Sequence, residues 1–133
     1  MELKKGLISG IIAAIVLNII YFILMIVTNT GEWYKSKFPE MMTPEAMWTG
    51  TLSLFLIGIF MGLIYSVVNS AIPGDVTRKG MNFGIMVWLL AGTMWPIMMI
   101  AFAPANIWIL ELISGLISYS IAGAVIAIIY ERI

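Results

Sequence analysis

The chain has 133 residues, of which 62% are hydrophobic and 11% charged, where an ordinary soluble domain runs at roughly 45–50% apolar and about 25% charged. With a mean hydropathy of +1.04, it carries more apolar surface than a fold of this length can bury, so lipid must solvate much of it. Seven basic residues balance seven acidic ones, and cysteine and histidine are both absent. That excludes a basic nucleic-acid footprint, disulfides, thiolate or imidazole catalysis, and zinc or haem held by those side chains.

The N-terminus, "MELKKGLISGIIAAIVLNIIYFILMIVTN", has the basic start of a signal peptide. Its apolar run is about twice the usual length and no small-residue cleavage site follows, so it reads as a retained first transmembrane helix over 3–28. An outer loop, 29–45, follows. In it Thr43-Pro44-Glu45 is a helix start, with Thr43 as N-cap, Pro44 in the first helical position and Glu45 at the positive end of the dipole. The second span runs over 46–70, and Pro73 and Gly74 then break the chain. The third span covers 80–102, with Pro96 well inside it to kink the helix and remove one backbone hydrogen bond. The link Ala103-Pro104-Ala105-Asn106 is short enough to force a tight antiparallel hairpin into the fourth span, 105–130. The expected fold is all-α: a single four-helix transmembrane domain over 1–133, packed as a compact bundle in the lipid bilayer.

Lys4, Lys5, Arg78, Lys79 and Arg132 fall on one side of these spans, and only Lys35 and Lys37 on the other. The positive-inside rule places both termini in the cytoplasm of a multi-pass cell-membrane protein. Trp33, Tyr34, Trp48 and Trp108 then make an aromatic belt at the outer interface, and the loop around them is expected to lie flat on the membrane.

In lipid the hydrophobic drive for helices to associate is lost, and close packing through small residues replaces it. Every span carries such residues four apart: Gly6 and Gly10, Gly58 and Gly62, Gly80 and Gly84, and Gly115 with Gly123 two steps on. A weak internal repeat follows. Lys4-Lys5-Gly6 and Gly10 match Arg78-Lys79-Gly80 and Gly84, while Gly58, Gly62 and Tyr65 match Gly123, Ala127 and Tyr130. These faces serve either contacts within the bundle or a homo-oligomer or membrane-complex partner.

The stretch "IWILELISG" holds the one charge placed inside a span. Glu111 lies six residues into the fourth helix, or ~9 Å at 1.5 Å per residue. Ser114, Gly115 and Ser118 share its face. Tyr21, Thr51, Ser53 and Trp95 come to a similar depth, with Asn18 and Thr93 about a turn deeper. Glu111, Ser114, Ser118, Asn18, Tyr21, Ser53 and Thr93 are therefore the candidates for a polar pathway or for hydrogen bonds that lock the helices. Lys35 or Lys37 could reach the carboxylate from the loop. Met94 and Met98, one turn apart, are the candidate pair for Cu(I), a soft ion that thioethers suit; no other metal and no cofactor is implied.

The pattern resembles a group of small, uncharacterised four-helix prokaryotic integral membrane proteins. In these a first helix opens with basic-Gly-x-x-x-Gly and later helices read His-Leu-x-x-Gly-x-x-x-Gly-x-x-Tyr. "KKGLISG" and "GIFMGLIY" fit, and "ELISG" fits the start of the later motif. The motif histidine falls at Leu54 and at Glu111, so this chain departs from the pattern where a ligand would stand, and the resemblance implies no activity. The leading functional expectation is a small oligomeric channel or transporter for an ion or small solute, with Glu111 in its polar path. The alternatives are a non-catalytic accessory or assembly subunit of a larger complex, and a Cu(I)-handling protein. An enzyme is not expected, since acid–base chemistry generally needs more than one positioned ionisable group.

Overall fold

The computed structural model describes residues 2–133. Helix α1 is Leu3–Val27 and the short α2 is Thr30–Lys37; α3 is Pro44–Val68, α4 Val76–Val87, α5 Met94–Met99 and α6 Ala105–Arg132. Four stretches are long and apolar enough to cross a membrane: Leu3–Val27, Pro44–Ala71, Val76–Met99 and Ala105–Arg132. The third contains α4, one π-helical turn at Trp88–Gly92, and α5. The fold is thus an all-α, four-span membrane bundle. Helical pairing of backbone polar groups is what lets such spans stand in hydrocarbon.

The α3 start is the one the sequence signals. Thr43 is extended, its hydroxyl accepts from the Ala46 amide at 3.3 Å, and Pro44 follows in the first turn. The π-turn lies directly before Pro96, whose ring would otherwise meet the carbonyl four residues back. The Thr93 amide bonds instead to the Trp88 carbonyl at 3.1 Å, and the helix resumes at Met94.

The bundle consists of two antiparallel pairs, α1 with α3 and α4 with α6, joined along an α1–α6 seam. Within each pair the backbones touch. A Cβ at Gly62 would sit 2.5 Å from the Gly10 Cα and closer still to the Gly6 carbonyl oxygen. A Cβ at Gly123 would sit 2.8 Å from the Gly84 Cα, and closer still to the Gly80 carbonyl oxygen. The hydrogen in each of these positions points at a carbonyl of the facing helix, the arrangement of a Cα–H···O contact. These contacts confirm a likeness between the halves but correct its register. Gly62 corresponds to Gly123, one helical turn from the match of Gly58 with Gly123 that the sequence suggests. Tyr65 and Tyr130 are contact partners, stacking edge-to-face with centroids 5.4 Å apart, and Phe83 meets Tyr65 at 5.3 Å.

The end of the bundle that carries both chain termini (the terminal end) is closely packed. Ala13, Ala14, Leu17 and Ser118 are fully buried, and Met61 nearly so. The opposite end, which carries α2 (the loop end), is built differently. There α1 and α3 diverge, and a Cβ at Gly50 would meet nothing within 4 Å. Large apolar side chains such as Ile19, Phe22, Phe60 and Leu90 cover the outside of the spans, the surface expected against lipid.

The 29–45 segment does not lie flat. Asn29 takes a left-handed conformation, φ 61°, which asparagine tolerates better than most residues, and the chain turns back at once into α2. Thr30 and Tyr34, one turn apart on α2, are 1% and 7% exposed. Tyr34 is therefore no member of an interfacial belt. It packs with Met99 and Ile107 in a second small core, with Trp33, Phe38, Trp95 and Trp108 around it. The physical reason is the apolar seat that α5 and the start of α6 provide: Tyr34 gains more from burial against Met99 and Ile107 than from lying at a headgroup surface.

Candidate functional site

Beneath α2 lies a cavity of about 400 Å³, within the usual range for small-molecule sites. Asn18, Tyr21, Phe22 and Met25 line it from α1; Met47, Gly50, Thr51 and Leu54 from α3; and Glu111 with Ser114 from α6. Thr30 and Tyr34 roof it, and Trp95 borders it from α5. It reaches no deeper than Asn18, Leu54 and Ser114, below which the packed terminal half begins.

The Glu111 carboxyl lies beside the hydroxyls of Thr30 and Tyr34. The Tyr34 hydroxyl accepts a hydrogen bond from the Trp95 indole at 2.9 Å and stands 3.5 Å from the Met99 sulfur. Thr30 shares a hydrogen bond with Thr28 at 3.2 Å, and Thr28 donates to the Leu24 carbonyl at the end of α1. Two hydroxyls of one short helix, α2, thus face the acid, and the Trp95 indole reaches it only through Tyr34. Lys35 and Lys37 lie on the exposed side of α2, and the one ion pair found among the described residues is Lys5 with Glu2, far away at the terminal end. The loop lysines consequently do not serve as counter-ions to Glu111.

Burial pushes the Tyr34 phenol well above its ordinary range, and the neighbouring Glu111 charge pushes the same way, with the Trp95 hydrogen bond partly opposing both. A raised phenol pKa means that the docked helix holds the neutral form. Docking of α2 is therefore independent of this group below about pH 10, and it weakens above that as the undocked tyrosine ionises and the docked one does not. The phenolate absorbance titrations of wild type and Tyr34→Phe are expected to coincide through the ordinary tyrosine range. A step near pH 10 that disappears in Tyr34→Phe would place the hydroxyl in water instead.

The structure brings together Glu111, Ser114, Asn18 and Tyr21 from the sequence candidates, as lining of one cavity. Ser118 is fully buried one turn below and donates to the Ser114 carbonyl at 2.7 Å. Asn18 donates to the Ala14 carbonyl of its own helix at 3.0 Å, and among the described residues it makes no interhelical hydrogen bond. Ser53 and Thr93 do not line the cavity. Each donates to the carbonyl four residues back, Thr49 and Leu89, on an exposed side of its helix; Thr51 is the α3 hydroxyl that reaches the site. Gly115 supplies space instead of polarity, because a Cβ there would stand 3.2 Å from the Trp88 indole. That indole donates to the Leu112 carbonyl at 3.1 Å, fixing the π-turn against α6.

Met94 and Met98 are 66% and 55% exposed on the outside of the third span. The methionines of the cavity are others, Met25, Met41, Met42 and Met47. Sequence reasoning missed Thr30 and Tyr34 as site residues, although their spacing of four on a short helical stretch was a usable signal. No protein-family profile, curated protein or solved structure matches the chain.

Proposed function

We propose that the protein is a small membrane carrier that binds its solute in the cavity under α2, with Glu111 as the polar anchor. One observation carries this reading: a carboxylate with two neutral hydroxyls beside it lines a cavity that lies in one end of the bundle, under α2, and stops at a close-packed core. A pore within one chain would need that core to be wet, whereas a carrier needs access from one side at a time. The two glycine-packed pairs are rigid units of similar construction, joined at the α1–α6 seam, and parallel repeats of this kind are a recurrent basis for rocking motions in transporters. The π-turn before Pro96 adds a place where the third span can bend. With both termini in the cytoplasm, as the basic residues favour, the cavity belongs to the outer leaflet.

Flux in proteoliposomes under proton, monovalent-cation and anion gradients tests the proposal. Glu111→Gln keeps the shape and removes the charge, and it is expected to lower the active flux at least tenfold. Unchanged flux in a well-folded variant removes Glu111 from the pathway.

A further inference from the structure

The walls of the cavity differ in exposure. On the inner side Thr30, Tyr34 and Ser114 are buried. On the opposite side Phe22 is 55% exposed and Met47 41%, and Gly50 and Thr51 are exposed as well. These four belong to the splayed halves of α1 and α3, so the mouth is a lateral slot between two spans, with α2 across the top. In a bilayer such a slot faces acyl chains, and a molecule entering through it must be soluble in the membrane.

From this geometry we infer that the ligand is a monovalent organic ammonium on an apolar body, entering sideways from the lipid and placing its charge at Glu111. The inference deepens the carrier reading of the same cavity and rests on it. Three features select this chemistry. The acid has no cationic partner among the described residues, and a half-buried carboxylate gains most from a ligand that supplies one. Tyr21, Tyr34 and Trp95 stand around the same space, and aromatic faces favour ammonium groups over neutral isosteres. The volume of about 400 Å³ is far more than an inorganic ion fills, and methionines lining it give an apolar wall that adapts to shape. A soft metal ion would instead need several thioethers turned to one point, yet Met41 and Met47 are 40% and 41% exposed along the rim. The ammonium could belong to a free amphiphilic amine or to an aminolipid headgroup; the recognition chemistry is the same.

The test uses the full chain in a maltoside detergent, whose headgroup carries no charge. Benzyltrimethylammonium is titrated against neopentylbenzene, its neutral isostere, with micelles lacking protein subtracted. The cation is expected to bind at least tenfold more tightly than the isostere. Glu111→Gln should abolish the difference, Glu111→Asp should keep part of it, and Glu131→Gln, at the exposed terminal end, should keep all of it. Displacement of the probe by short-chain phosphatidylethanolamine assigns the headgroup as source, and its failure assigns a free amine; either agrees with the inference. Equal binding of cation and isostere by the wild type overturns the inference while leaving an apolar carrier site standing, and this comparison needs no variant to fold. Cation binding that persists undiminished in folded Glu111→Gln also overturns it. Absence of both ligands overturns it too, and flux that still depends on Glu111 then shows that the carrier reading survives alone; without such flux both fall.

Discussion

Alanine at Gly62 or at Gly123 is expected to destabilise the bundle by about 3 kcal/mol, the upper end of the usual overpacking cost, whereas alanine at Gly50 leaves it unchanged or raises stability by up to ~1 kcal/mol. The new methyl at Gly62 would press on the Gly10 Cα and the Gly6 carbonyl, and that at Gly123 on Gly84 and the Gly80 carbonyl. These are backbone atoms of the facing helix, so no side chain can rotate away, and the pair must separate along its length. Separation forfeits the Cα–H···O contacts and the dispersion gained at close approach, the chief sources of helix association in lipid. At Gly50 the methyl meets nothing within 4 Å, and the helix gains from losing a glycine. Thermal unfolding in a mild detergent, followed by circular dichroism, separates the cases. Similar melting of Gly62→Ala and Gly50→Ala would mean that backbone contact is not what holds α1 to α3.

The same glycines explain what the sequence could and could not disclose. Span lengths follow from hydrocarbon thickness, and the Thr43-Pro44-Glu45 start follows from capping chemistry, so both were legible. Which way each helix is turned was legible only where small residues mark the inner face. A helix in lipid is apolar all round and lacks the amphipathic stripe that water imposes on a soluble one. Ser53 and Thr51 illustrate the gap: two residues apart, they sit about 200° apart around α3, and nothing in their apolar neighbours selects between them. The repeat register failed by one turn for a related reason, since glycines four apart align equally well when shifted by four. The folding back of 29–45 was least legible. It depends on a left-handed Asn29 and on the apolar seat formed by Met99 and Ile107, and the latter exists only after the helices are assembled.

That folded-back helix has the second large effect. Tyr34→Ala is expected to release α2 from the mouth of the bundle and to open the cavity. Eight residues are too few to make a stable helix alone, so α2 depends on its docked side chains. Tyr34 is the largest of them that is buried, packing on Met99 and Ile107 and meeting Trp33 edge-to-face at 5.2 Å. Truncating a buried aromatic ring costs about 3–5 kcal/mol, and the Trp95 indole loses its acceptor as well. Tyr34→Phe keeps the ring and loses the hydroxyl, which also leaves the Trp95 indole without its acceptor, at a cost of about 1–3 kcal/mol. The native chain has no cysteine, so a single Ser114→Cys reports the cavity and Ser118→Cys the packed core beneath it. Labelling of Ser114→Cys by a charged, membrane-impermeant thiol reagent should accelerate at least tenfold in Tyr34→Ala and several-fold less in Tyr34→Phe. Ser118→Cys should stay unreactive in both, because its burial comes from α6 and its neighbours at the level where the cavity has ended. Equal labelling of Ser114→Cys with and without the tyrosine ring would show that α2 does not close the site, and access would then depend on the lateral slot between α1 and α3 alone.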